Sequence, residues 1–170
     1  MISIAIANQK GGVGKTTTAI NVATALAATG HRTLLIDLDP QGNASTGLGV
    51  NTRDRHLSSY DLLIGDCAIE EAVIHTAVPG LDLIAATQDL SGAEIELIEI
   101  EQRTHRLKHA LTHAPEERWD VCLIDCPPSL GLLTVNAMIA VQKVLVPLQC
   151  EFFALEGLSQ LLQTIDRIRE

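Results

Sequence analysis

Aromatic side chains are nearly missing from this chain, with one Trp, one Tyr and two Phe among 170 residues. The hydrophobic fraction is nonetheless 46%, so a core must be built from Ala, Val, Ile and Leu. Such a core suits parallel strands covered by helices on both faces. Positive charge is scarce too. Twelve Lys and Arg stand against 21 Asp and Glu, a formal charge of -9, which leaves no global basic footprint. Any contact with nucleic acid would need a local patch. The four cysteines, Cys67, Cys122, Cys126 and Cys150, lack C-x-x-C spacing, and the last three lie in or beside apolar runs. Buried, reduced thiols are expected rather than disulfides or a metal site. No run approaches the ~20 apolar residues of a membrane span. Residues 2–7 follow Met1 without the basic flank and cleavage site of a secretory leader, so a cytoplasmic protein is expected. One domain over residues 1–170 is expected, since single cores of ~100–150 residues are the commonest size.

What is present is an alternation of short β-branched runs and longer helical stretches. Residues 2–8, 33–39, 81–85, 121–125 and 144–148 read as strands, each apolar and bounded by polar, Gly or Pro residues. Residues 15–28 are Ala-rich and stop before Gly30, a helix end. Residues 92–113 read as a second helical region. From 154 to 169 the chain carries Leu155, Leu158, Leu161, Leu162, Ile165 and Ile168, an apolar stripe at helical spacing suited to covering a sheet. Glycines at 42, 47 and 49 predict a mobile loop after the second strand. The succession predicts an α/β fold with a doubly wound, mostly parallel sheet, its ligands at the carboxyl ends of the strands.

Between the first strand and the first helix lies KGGVGKTT, Lys10 to Thr17. The general phosphate-loop pattern is G-x-x-x-x-G-K-[ST], in which backbone N–H groups and a helix N-terminus surround phosphate oxygens. Gly14, Lys15 and Thr16 match its end, while Gln9 stands where the leading glycine would fall. Gly11, Gly12 and Gly14 still allow close backbone approach, with Val13 and Thr17 completing the loop. Lys15 would neutralise the outer phosphates of a nucleotide such as ATP, and the Thr16 hydroxyl would ligate Mg²⁺. An apolar strand delivers Asp125 to the same sheet edge, where it can hold Mg²⁺ through water. Asp37 and Asp39 stand two apart, on one face if the second strand runs that far.

Lys10, Gln9 and the KGGVGKTT string resemble the deviant Walker A loop of the ParA/MinD ATPase superfamily, and with it a P-loop NTPase fold. That resemblance implies that Lys10 reaches across a nucleotide-sandwich homodimer to the partner's phosphates. DLDPQGN, residues 37–43, is similar to the first switch of ParA/Soj proteins. It implies that Asp39 positions the attacking water and that Asp37 has a supporting metal or switch role. DCPPSLG from Asp125 and QCEFFALEGL from Gln149 are similar to further ParA/Soj motifs.

The resemblance implies an ATP-driven partition switch: ATP assembles a dimer that binds DNA without sequence preference, and a ParB-type partner stimulates hydrolysis. Nucleoid association without membrane binding follows from it. Family members run on beyond the point matching Glu170, so adenine-contacting and DNA-contacting residues are expected outside this chain. A MinD-like membrane ATPase would need a basic amphipathic terminal helix, and residues 154–169 are mixed and acidic. An iron-sulfur donor like the nitrogenase iron protein would need a second cysteine to join Cys126 at a dimer interface. His105, His109 and His113 recur at helical spacing, where a solvated face is expected before a metal site.

Overall fold

The computed structural model describes residues 1–115, 117–149 and 154–169. Cys150 and its neighbours up to Phe153, part of the motif that begins at Gln149, lie outside the described residues. In chain order the elements are β1 (Ile2–Ile6), α1 (Lys15–Ala28), β2 (Thr33–Asp37), α2 (Asn43–Gly47), a 3₁₀ turn (Thr52–Asp54), α3 (Ser59–Ile64) and β3 (Val73–His75). There follow β4 (Leu81–Ile84), α4 (Leu90–Glu96), a 3₁₀ turn (Leu97–Glu99), α5 (Arg106–Thr112), β5 (Val121–Asp125), α6 (Leu132–Ala140), β6 (Lys143–Leu145) and α7 (Ala154–Arg169).

The six strands form one sheet in the order β3-β4-β2-β5-β1-β6. All neighbouring pairs are parallel except β3 with β4. The centre is the most apolar part: TLLID of β2 and VCLID of β5 are buried at all five positions. Burial on both faces is what parallel strands with helical crossovers require. Side chains alternate between two cores. Ile6, Leu35, Leu83 and Leu123 meet α1 and α2 on one face, while Ala5, Leu34, Ile36, Cys122 and Ile124 meet the helices of the other. On α1, Ala19, Ala23 and Ala27 recur every four residues and are buried against the sheet.

The register does the positioning. Ile6 of β1 and Asp37 of β2 both pair with Asp125 of β5. The loop leaving β1 and two carboxylates therefore share one sheet edge, at the carboxyl ends of the strands.

Several expectations change. β3 had no counterpart in the pattern, because three residues of an antiparallel edge are too few to show a period. The helical region 92–113 is broken: α4 ends at Glu96, and the chain turns through Gln102, at φ 54, before α5. The glycine-rich segment 42–49 contains the helix α2 rather than a loop alone. β2 stops at Asp37, so Asp39 lies beyond the strand and the strand does not itself place the two carboxylates on one face. α5 spans only Arg106–Thr112, so His105 and His113 flank it rather than sharing one helix with His109. α7 buries Leu161 with α6 as a neighbour, while Leu162 stays half exposed. Cys122 and Cys126 are buried and Cys67 half-buried, all three as free thiols. Burial pushes the Cys122 thiol up to about 12 and that of Cys126 higher still.

Candidate functional site

The chain leaves β1 through Ala7, whose N–H bonds the Leu145 carbonyl at 3.1 Å, and reaches α1 through the glycine loop. Gly12 at φ 74 and Gly14 at φ 89 are left-handed, a conformation costing roughly 1–2 kcal/mol for other L-residues. Gly11 is different. Its φ is ordinary, and a Cβ there would meet no protein atom within 4 Å. Neither backbone nor packing demands that glycine, so it suits close approach by something outside the chain. The N-terminus of α1 opens on the same space, and its N-cap Gly14 supplies no side-chain cap, which leaves first-turn N–H groups suited to an anion.

A cleft of about 400 Å³ is bounded by the loop residues Gly11, Gly12, Gly14, Lys15, Thr16 and Thr17, and by Asp39, Gln41, Asn43 and Pro128. A groove of about 280 Å³ between α5, α6, β6 and α7 shows no such convergence of loop and carboxylates among the described residues.

Lys15 is almost wholly buried, and its Nζ donates to the Lys10 carbonyl at 3.1 Å. Burial lowers its pKa, opposed by the charges of Asp125 and Asp39. Lys10 donates its backbone N–H to Asn8 Oδ1 at 3.0 Å.

Asp125 is the unusual carboxylate. It is fully buried, and neither oxygen has a hydrogen-bond partner among the described residues. Burial pushes its pKa up to about 7, with Asp37 and Asp39 adding repulsion. The Thr16 hydroxyl and Lys15 favour the charged form, yet the hydroxyl stays outside hydrogen-bonding geometry. A buried carboxylate without donors, with a hydroxyl and a second carboxylate nearby, is an oxygen-donor set of the kind a hard divalent cation takes.

The other two carboxylates are occupied. Asp37 Oδ1 accepts the Asp39 N–H at 3.1 Å, and Oδ2 accepts the Ser45 N–H at 2.9 Å and the Ser45 hydroxyl at 2.7 Å. Burial still raises its pKa against those bonds. Its contacts make it the pin of the turn leading to α2. Asp39 Oδ1 accepts the Gln41 N–H at 3.0 Å, and its carboxylate borders the cleft.

The sequence-predicted residues Lys15, Thr16, Asp39 and Asp125 thus come together, with Asp37 behind them. Pattern reading assigned no role to several others. Asn8 Nδ2 donates to the Pro147 carbonyl at 2.7 Å, and Gln149 Nε2 donates to the Gly12 carbonyl at 3.2 Å. Both tie the segment after β6 to the loop. Their place just past the carboxyl ends of adjacent parallel strands is the signal that could have found them. Arg55, buried behind α2, has no such signal.

The family model described as an AAA domain matches residues 1–170. The chain is 59% identical over 170 residues to the chromosome partitioning protein ParA of Caulobacter vibrioides, covering 98% of this chain and 62% of that protein. It is 52% identical over 167 residues to the sporulation initiation inhibitor protein Soj of Bacillus subtilis, covering 98% of this chain and 66% of that one. The chain therefore spans less than two thirds of the length of these relatives. Among solved structures, cobyrinic acid a,c-diamide synthase of Mycobacterium smegmatis, bound to an ATP analogue and magnesium, superposes with a TM-score of 0.94 at 43% identity. That match covers 99% of this chain and 68% of the other. A putative plasmid partition protein of Borrelia burgdorferi bound to AMPPNP superposes with a TM-score of 0.87 at 30% identity, over 99% and 70%. With this sheet, this loop and a match along its whole length, the chain belongs to the ParA/Soj family of P-loop ATPases.

Proposed function

We propose that residues 1–170 form one deviant Walker A ATPase domain, the nucleotide-holding part of a ParA-type partition switch. The observation that carries the reading is Asp125: a buried carboxylate with two unpartnered oxygens beside Lys15, at the mouth of a glycine loop. In this reading the loop from Lys10 to Thr17 surrounds the phosphates of ATP with backbone N–H groups. Lys15 neutralises phosphate charge, and Thr16 and Asp125 hold Mg²⁺, Asp125 through water. Bound Mg²⁺ would offset the charge that develops on the phosphate oxygens. Asp39 orients the attacking water, and Asp37 holds the switch turn in register. Hydrolysis asks little of the protein beyond positioning and electrostatics, which a loop and three carboxylates on one sheet edge supply.

Lys10 acts across a homodimer that forms on ATP binding. The names of the Caulobacter ParA relative and of the Borrelia plasmid partition protein support chromosome or plasmid partition as the process. It would involve a ParB-type partner and sequence-independent DNA binding by parts of the protein outside this chain, which would place the protein on the nucleoid. Among the described residues no helix is long and apolar enough to cross a membrane.

The test is Lys15→Ala, read with a fluorescent ATP analogue and Mg²⁺. Affinity should disappear while circular dichroism stays that of the folded protein; retained affinity would remove the central assignment.

A further inference from the structure

Arg55 is more than nine-tenths buried, and no ion pair with a carboxylate is found for it among the described residues. Its guanidinium instead gathers neutral oxygens from three segments. Nη1 donates to the Ala86 carbonyl at 2.9 Å, just past β4. Nη2 donates to Thr46 Oγ1 at 2.8 Å and the Val50 carbonyl at 2.9 Å, with the Gly42 carbonyl at 3.5 Å. Nε finds no partner. Burying a charge this way, with one donor left unsatisfied, costs stability that an apolar side chain of similar size would not. What the guanidinium supplies is geometry: a rigid fork whose donors reach both ends of α2 and the sheet at once.

Those ends connect directly to the cleft. The Gly42 N–H bonds the Asp39 carbonyl at 2.8 Å, so Asp39 and Gly42 close one turn. Gly42 is left-handed at φ 61, and a Cβ there would collide with Nη1 of Arg55. The fork therefore sits directly against the turn that carries Asp39. On the opposite side, Ser45 Oγ donates to Asp37 and accepts the Ala86 N–H at 3.0 Å. The peptide groups of Ala86 are thus gripped twice, by Ser45 through the N–H and by Arg55 through the carbonyl. Ser45 alone would leave α2 free to pivot about Asp37.

We infer that Arg55 is a positioning residue for hydrolysis, locking the Asp39 turn and α2 onto the end of β4 so that Asp39 is held over the phosphate loop. This rests on the ATPase reading above. Nucleotide binding, which depends on the loop and α1, does not need the lock; placing the water does.

The experiment uses the protein with its complete reading frame and the variants Arg55→Met, Arg55→Lys and, as a milder probe at an exposed position, Thr46→Val. Arg55→Met should leave nucleotide Kd within twofold of wild type and lower single-turnover hydrolysis at least tenfold. Amide exchange should quicken over residues 42–50 and remain slow in β5. Arg55→Lys, which keeps the charge but not the fork, should fall between. Should Arg55→Met fail to fold, Thr46→Val must show the same split at smaller size. Wild-type hydrolysis in the folded Arg55→Met variant, or parallel losses of affinity, turnover and melting temperature, overturns the role. A wild-type protein that binds no ATP overturns the ATPase reading and this role with it.

Discussion

Replacing Asp125 by Asn should make the nucleotide-free protein less sensitive to pH, with a sign that follows from burial. The carboxyl of Asp125 titrates near 7 in the folded chain, against an ordinary value of 3.8. Between those values the native state holds a proton that the unfolded chain has released. Stability therefore falls as pH rises through that window, and the loss is complete above the folded value. At ~1.36 kcal/mol per unit, three units correspond to an upper figure of about 4 kcal/mol, roughly 3 kcal/mol of it between about pH 5 and pH 8. Asn has the same shape and does not titrate there. Asp37 is present in both proteins, so the difference between them reports Asp125 together with its coupling to Lys15. Urea unfolding followed by circular dichroism, in chelator and without nucleotide, should give a stability difference in favour of the variant that grows by roughly 3 kcal/mol over that pH range. A difference that stays flat within ~1 kcal/mol, or grows toward acid, refutes the account of Asp125 as an uncompensated buried charge. Mg²⁺ with ATP should stabilise the wild type at pH 8 more than it stabilises the variant, which keeps the loop and α1 but lacks the charged carboxylate.

Asp39→Ala should retain nucleotide and the ATP-bound dimer while losing turnover; a wild-type rate would reassign the water-positioning group. In Lys10→Ala, monomeric nucleotide binding should persist and the ATP-dependent dimer should vanish by light scattering, and dimers of normal strength would remove its cross-subunit role. Ser45→Ala should cost roughly 2–3 kcal/mol in urea unfolding, because it strips Asp37 of a donor and leaves the buried Ala86 N–H alone. A loss below ~1 kcal/mol would show that water or a backbone shift compensates.

The residues that were legible in the sequence are those whose meaning is local. The glycine loop, the alanine face of α1 and the apolar runs ending in Asp37 and Asp125 each declare themselves within a few neighbours. β3 was hidden because three half-buried residues carry no period. The break between α4 and α5 was hidden because neither Gly nor Pro marks it: the chain turns at Gln102, where nothing in the composition signals a left-handed residue. The roles of Asn8, Gln149 and Arg55 were illegible for another reason. Asn8 and Gln149 have partners 139 and 137 residues away along the chain, and Arg55 joins its neighbours around α2 to Ala86, 31 residues on, so the fold and not the local sequence reveals them. Asp37 shows the limit most clearly: the resemblance gives it a supporting metal or switch role, and only the fold shows its carboxylate bound to Ser45 in the turn leading to α2.

The alanine seam of α1 gives the phosphate loop an unusual mechanical address. Ala19, Ala23 and Ala27 are the buried apolar positions of the helix against Leu35, Leu83 and Leu123, with Ile20, Val22 and Leu26 packed at the margins. The loop then caps the end of a stiff lever, and its height above the sheet follows that of the alanine seam. Ala23 lies ~12 Å from Lys15 along the helix. A bulkier residue there would tilt the lever and move the loop, so a nucleotide would sense a substitution it never touches.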